Sequence, residues 1–246
     1  MHFDPSRRHW LQALAGTAAL AASGARAEDR DDRVAFSVAI VPQFPAAELH
    51  RDWMPLLERL GRDTGLTLTL KLAPNIPRFE TEVMLGSPDF AFMNPYHAVM
   101  ASRAQGYVPL VHDTKLLTGI LVVPKADPIK SLAELDGKEL AFPAPNAFGA
   151  SLWMRALLAE RERIRITPAY VQTHSNVYRQ VIRGKAAAGG GVNNTLLQES
   201  DEVRASLRVL FETPGVAPHP LSAHPRVPTR VRQALTDAFL QLAAEP

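Results

Sequence analysis

Two hydrophobic rhythms alternate along this chain. Residues 34–41 form a compact apolar, β-branched run closed by Pro42, the pattern of a buried strand. Over 47–64 the apolar positions Leu49, Trp53, Leu56, Leu57 and Leu60 fall at helical spacing, and Gly65 stops the helix. The same reading predicts strands over 66–72, 89–93 and 107–112, with helices over 76–85 and 96–105 between them. A second series then predicts strands over 118–123, 139–142, 169–171, 186–192 and 207–212. Helices are predicted over 131–135, 150–160, 176–183 and 229–243, the last opening after Pro228. Such alternation argues for mostly parallel, doubly wound sheets covered by helices. The expected fold class is α/β, two doubly wound lobes with a hinged cleft. Lobe 1 is 28–117 plus 213–246 and lobe 2 is 118–212, joined by crossings near 113–120 and 210–216.

Residues 6–27 stand outside both rhythms. Arg7-Arg8 is followed by a run of small apolar residues and then Ala25-Arg26-Ala27, the parts of a signal peptide. The arginine pair is the form read by the twin-arginine route, with Trp10 and Gln12 departing from its usual residues. The apolar stretch is too short to span a bilayer. A periplasmic, exported protein with a mature start at Glu28 is expected.

Removing that leader changes the charge. The formal net charge is +2, but Arg7, Arg8, Arg26 and Asp4 belong to the leader, and 24 basic and 24 acidic residues remain. No basic stripe is left to bind nucleic acid. The absence of cysteine excludes disulfides, thiolate metal sites, a cysteine nucleophile and a lipid anchor. No other apolar run is long enough for a membrane helix, so no stable membrane insertion is expected of the mature chain.

In open α/β sheets ligands bind beyond the carboxyl ends of the strands, where helix N-termini turn their amides outward. Five strand-to-helix junctions are therefore candidates: one at Gln43 and Phe44, one at Asn94 and Tyr96, and one at Asn146, Phe148 and Ser151. The fourth holds His174, Ser175 and Asn176, and the fifth follows Gly189-Gly190-Gly191 with Asn193 and Asn194. None carries Asp, Glu, Lys or Arg, and neutral donors beside helix N-termini suit a small anion or a polar ligand. Each also has a purely structural reading. Asn94 before Pro95 is a helix N-cap pattern, and Ser175 or Asn176 reads as another. His174 reads equally as a half-buried histidine satisfied by backbone. The glycine run suits tight packing, and the asparagine pair suits a turn. Carboxylates such as Glu80 and Glu82 read as solvated helix faces. The eight histidines are dispersed, and no nucleophile elbow, P-loop or zinc motif occurs. No enzyme activity, metal or cofactor is expected.

In order, Trp53-Met54-Pro55-Leu56-Leu57, Asp63-Thr64-Gly65, Asp89 to Tyr96, Ser131 to Lys138, Ala141 to Ser151, Thr173 to Asn176 and Gly184 to Asn194 resemble the periplasmic phosphate/phosphite/phosphonate-binding proteins of ABC importers. The resemblance implies a type II periplasmic-binding-protein fold that closes on an anion and is handed to an inner-membrane permease. It aligns 142–151 with the family's oxyanion-holding segment, where only Asn146 and Ser151 remain polar and Phe148 takes a usually hydroxylic place. His174 and Ser175 match a family phosphonate contact. Asn193 and Asn194 align with acidic positions that pair a substrate ammonium, so an aminoalkylphosphonate is disfavoured, and a different anion or an uncharged polar molecule stays open. Family members often carry a tail helix, which implies a chain shortened at Pro246. The function expected is capture of a small phosphate-, phosphite- or phosphonate-like oxyanion for import. The alternative is a ligand-sensing subunit that signals to a membrane sensor kinase.

Overall fold

A computed structural model describes residues 35–245. The leader read at 6–27 and the mature start at Glu28 lie outside the described residues. Two five-stranded sheets form the framework. The first has the order β2-β1-β3-β10-β4, built from β1 (Ala35–Ile40), β2 (Thr67–Leu72), β3 (Phe90–Phe92), β10 (Pro220–Ala223) and β4 (Val108–His112). The second has the order β7-β6-β8-β5-β9. Its strands are β5 (Gly119–Pro124), β6 (Glu139–Phe142), β7 (Thr167–Tyr170), β8 (Ala188–Val192) and β9 (Leu207–Glu212).

Each sheet carries one reversed strand. β1 runs parallel to β2 and β3, whereas β10 is antiparallel to β3 and β4. β6 runs parallel to β7 and β8, whereas β5 is antiparallel to β8 and β9. The reversed strands are those by which the chain enters a sheet from the other one. A strand arriving from the cleft must run away from it, opposite to strands that end there. The two crossings lie side by side: Leu117 and Val216 exchange backbone hydrogen bonds of 2.9 and 3.0 Å, and Gly119 N–H donates to Thr213 Oγ1 at 2.9 Å.

The expected elements form, with local differences. α1 (Ala46–Thr64) continues through Pro55, whose exposed position lets water satisfy the carbonyl that proline leaves unpaired. α2 (Ile76–Met84) and α3 (Pro95–Gln105) begin on Asn75 and Asn94, whose side chains accept from Arg78 N–H and His97 N–H. The helix expected over 150–160 is α4 (Trp153–Ala156) flanked by wider π-type turns at Phe148–Leu152 and Leu157–Arg161. α5 (His174–Ile182) starts earlier than expected, and its cap is Thr173 rather than Ser175 or Asn176. Asn193 and Asn194 open a further helical turn, α6 (Asn193–Leu197), and α7 (Asp201–Ser206) follows behind a Ser200 cap. Neither turn was expected, nor was β10, whose four residues carry a proline and are all buried. α8 (Thr229–Ala243) returns the chain to α1, where Arg59 Nη2 meets Glu245 Oε1 at 2.6 Å.

The first sheet packs Phe36, Val38, Ile40 and Phe90 against Leu49, Leu57 and Leu60 of α1 and Val231 and Leu235 of α8. Its other face meets α2 through Ile76, Phe79 and Val83 and α3 through Ala101, and that cluster continues into Ala144, Ala147, Ala150 and Val192 from the second sheet and its loops. The cleft between the sheets is therefore shut on an apolar contact. The glycine run follows from packing: a Cβ on Gly190 would fall 2.6 Å from Phe142 Cδ1 and against Ala150 O, and one on Gly191 would strike Tyr178 Oη. No helix among the described residues is long and apolar enough to cross a membrane.

Candidate ligand site between the sheets

All five junctions reach one pocket at the closed cleft, lined by Val41, Gln43, Ile76, Asn94, the 147–150 turn, His174, Val192 and His219. Asn94 caps α3, His174 is the first residue of α5, and Gln43 lies just ahead of α1. Residues 147–150 open the helical stretch that contains α4. In that stretch Ser151 N–H is bonded back to Ala147 O at 2.7 Å, so the preceding amides face out of the helix end. The starts of four helices thus meet at the pocket, which carries no charged side chain. Its free volume is about 10 Å³, room for one water-sized group.

Of the twelve residues predicted from sequence, Gln43, Asn94, Phe148 and His174 line this pocket. Others hold the cleft shut around it. Asn94 Nδ2 donates to Asn146 O at 3.0 Å across the cleft. Asn146 Nδ2 donates to the Glu80 carboxylate at 2.8 and 3.0 Å, and His174 N–H donates to Gln43 O at 3.0 Å. Glu80 is therefore not the solvated helix residue expected; it tethers the opposite sheet. Ser151 is fully buried with its Oγ accepting from Arg155 Nε at 3.2 Å. Ser175 is buried behind His174, while Asn176 is exposed with its amide on Val171 O. Phe44 packs under the first sheet, and Tyr96 is half-buried beside His97. Asn193 and Asn194 line a neighbouring chamber of about 340 Å³ with Lys115, Leu116 and His219, and Asn193 Nδ2 donates to Leu116 O.

The histidines, dispersed in sequence, gather in space. His174 Nδ1 lies 3.1 Å from Thr195 Oγ1, which donates to Val192 O at 2.9 Å and meets Tyr178 Oη at 2.7 Å. His219 stacks on Phe92 with ring centroids 5.5 Å apart. His97 is fully buried, and neither ring nitrogen has a hydrogen-bond partner. Burial pushes His97 and His174 down to about 3, with repulsion from His219 adding to the shift, and burial alone pushes His219 down to about 4. All three are neutral at neutral pH, so the 3.8 Å approach of His97 Nε2 to Glu80 Oε2 is not an ion pair there. Among the described residues no group of three or more His, Cys, Asp or Glu is arranged to hold a metal ion. Sequence reasoning missed His219 because it searched only strand-to-helix junctions. Its signal was the Pro218-His219-Pro220 enclosure on the return crossing.

Comparison with known proteins now decides the family. Residues 38–246 match the family described as ABC transporter, phosphonate, periplasmic substrate-binding protein. The chain belongs to that family. These are solute-binding proteins of importers, not enzymes, and their fold is the two-lobed type II periplasmic-binding-protein architecture seen here. A binding protein component of an ABC phosphonate transporter from Pseudomonas aeruginosa superposes with a TM-score of 0.76 at 16% identity, over 87% of this chain and 76% of that one. PhnD1 from Prochlorococcus marinus, solved in complex with methylphosphonate, gives 0.76 at 15% identity over 85% and 84%. A Xanthomonas citri protein solved with ATP gives 0.65 at 17% identity over 86% and 84%. No curated protein matches the chain.

Proposed function

We propose that this member captures a small oxyanion of the phosphate, phosphite or phosphonate type between its two sheets and presents the closed form to an inner-membrane permease. The observation that carries the reading is the convergence of four helix starts on one pocket without a charged side chain. Each helix start favours an anion by about 0.3–1 kcal/mol, more when partly buried, and four act together. Gln43, Asn94, Phe148 and His174 are the contacts drawn from the predicted set, with His219 added. Asn146 joins the sheets, and Ser151 and Ser175 brace the helix starts behind the pocket. Asn193 and Asn194 face the neighbouring chamber, away from the anion itself.

A pocket with room for one water does not admit a five-atom anion until the sheets part. The bodies that part are 28–117 with 213–246, and 118–212, turning about the paired crossings. Apolar contact across the cleft stabilises closure without ligand, which lowers apparent affinity by the fraction of molecules kept shut. Residues 1–27 serve as a removable twin-arginine leader, checked by N-terminal sequencing of the exported protein.

Thermal unfolding with millimolar phosphate, phosphite and methylphosphonate tests the ligand class. A ligand at a hundred times its Kd stabilises by about 2.7 kcal/mol, and no rise with any of the three would sink the reading. Cross-linking in the periplasm tests the partner. Capture of a sensor kinase instead of a permease would reassign the partner and leave the ligand class standing.

A further inference from the structure

We propose that the chamber of about 340 Å³ beside the anion pocket holds an organic part of the ligand, and that this part is an uncharged polyol. The ligand is then a phosphate monoester or phosphonate carrying several hydroxyl groups rather than an inorganic or one-carbon oxyanion. The inference rests on the oxyanion reading above and adds the ligand's second half.

The chamber is built where both sheets and both crossings meet. Phe92 comes from β3 of the first sheet, and Asn193, Asn194 and Leu197 come from α6, which follows β8 of the second. Lys115 and Leu116 belong to the outgoing crossing, Pro218 and His219 to the return. His219 lines the anion pocket and the chamber alike, and Phe92, on which its ring stacks, lines the chamber as well. A substituent on an anion held at the helix starts therefore has this space next to it. Its volume is on the order of ten water volumes, and a methyl group, of about one water's size, leaves nearly all of it to solvent. A three- to six-carbon substituent fits the usual scale of ligand cavities, about 300–1,000 Å³.

The lining decides the chemistry of that substituent. Its charged residues are Asp113 and Lys115, of opposite sign. An ammonium on the ligand is repelled by Lys115 and a carboxylate by Asp113, so neither gains from the pair as a whole. A hydroxyl both donates and accepts, and is welcome at either. The remaining polar groups are amides with the same double capacity. Asn193 Nδ2 is spent on Leu116 O at 3.1 Å, which leaves its Oδ1 as an acceptor. The side-chain amides of Asn194 and Gln198 and the Lys115 ammonium are exposed and bond no protein group among the described residues. Asp113 Oδ1 accepts from Lys115 N–H at 2.9 Å, and its other oxygen stays open. Two large apolar side chains, Leu116 at 59% exposure and Leu197 at 67%, stand on the same chamber. The carbon face of a polyol covers them, whereas an inorganic anion leaves them bare.

Isothermal titration of the exported chain tests this with five probes: methylphosphonate, glycerol 3-phosphate, glucose 1-phosphate, 2-aminoethylphosphonate and phosphonoacetate. Each hydrogen bond in the chamber is worth about two- to tenfold in affinity. With two or three of them, the tighter polyol ester should bind at least tenfold more strongly than methylphosphonate, and the charged substituents should fall below it. Asn194→Leu and Gln198→Leu should each cut the ratio of polyol ester to methylphosphonate at least threefold. Both positions are exposed, and thermal unfolding of the two variants without ligand guards against a folding defect in one. Methylphosphonate or a charged phosphonate binding as tightly as either polyol ester overturns the inference and leaves oxyanion capture intact. So does a ratio unchanged in both variants. Failure of every probe to bind overturns oxyanion capture itself.

Discussion

Acidification from pH 7 to pH 5 tests the burial of His97, His174 and His219 directly. In the unfolded chain each imidazole titrates near 6.5 and is almost fully protonated at pH 5. In the folded chain their values of about 3, 3 and 4 keep all three neutral across that range. The unfolded state then binds more protons, so stability is fully present above 6.5 and is lost as the pH falls toward 3–4. Between pH 7 and 5 each ring costs about 2 kcal/mol, and three cost about 6 kcal/mol, a large share of a typical 5–15 kcal/mol. Asp89 does not confuse the window. Although burial pushes its carboxyl up, Ser37 and Arg226 together hold it below its ordinary value, so its loss comes below about pH 4. Urea unfolding at pH 7, 6 and 5 reads the slope, and His97→Phe, among Phe79 and Tyr96, should remove about a third of it. A stability at pH 5 within about 1 kcal/mol of that at pH 7 would refute the burial of these rings in neutral form.

Three further outcomes follow from the contacts. Gly190→Ala forces a Cβ against Ala150 O and Phe142 and should cost about 3 kcal/mol in chemical denaturation, since backbone cannot yield there. Asn146→Asp sets a carboxylate against Glu80 in place of a hydrogen bond worth about 1.5–3 kcal/mol. The open population should rise more than tenfold, read as a larger radius of gyration in X-ray scattering. Thr195→Val strips the hydroxyl shared by Tyr178, His174 and Val192, costing about 2–3 kcal/mol. It also removes the hydrogen-bond partner of His174 Nδ1, visible in the ¹⁵N chemical shifts of that ring.

Local pattern alone determined most of the elements. Buried strands and amphipathic helices are written in neighbouring residues, so 139–142, 207–212 and 229–243 were read with their final bounds. Asn94 before Pro95 announced its helix cap for the same reason. The sequence also carried the family, because its motifs keep their order. Elements held by distant partners escaped. β10 exists because β3 and β4 flank it, and its own four residues carry no period. Thr173 rather than Ser175 caps α5 because helix entry is set where the strand edge ends. Only the tertiary structure brought Glu80 to Asn146, 66 residues away, and Asn94 to Asn146 O, 52 away. It alone gathered His97, His174 and His219 from three segments into one buried neighbourhood. Their protonation depends on burial by the opposing sheet, and periodicity along a chain holds no record of which distant surface will exclude water from a side chain.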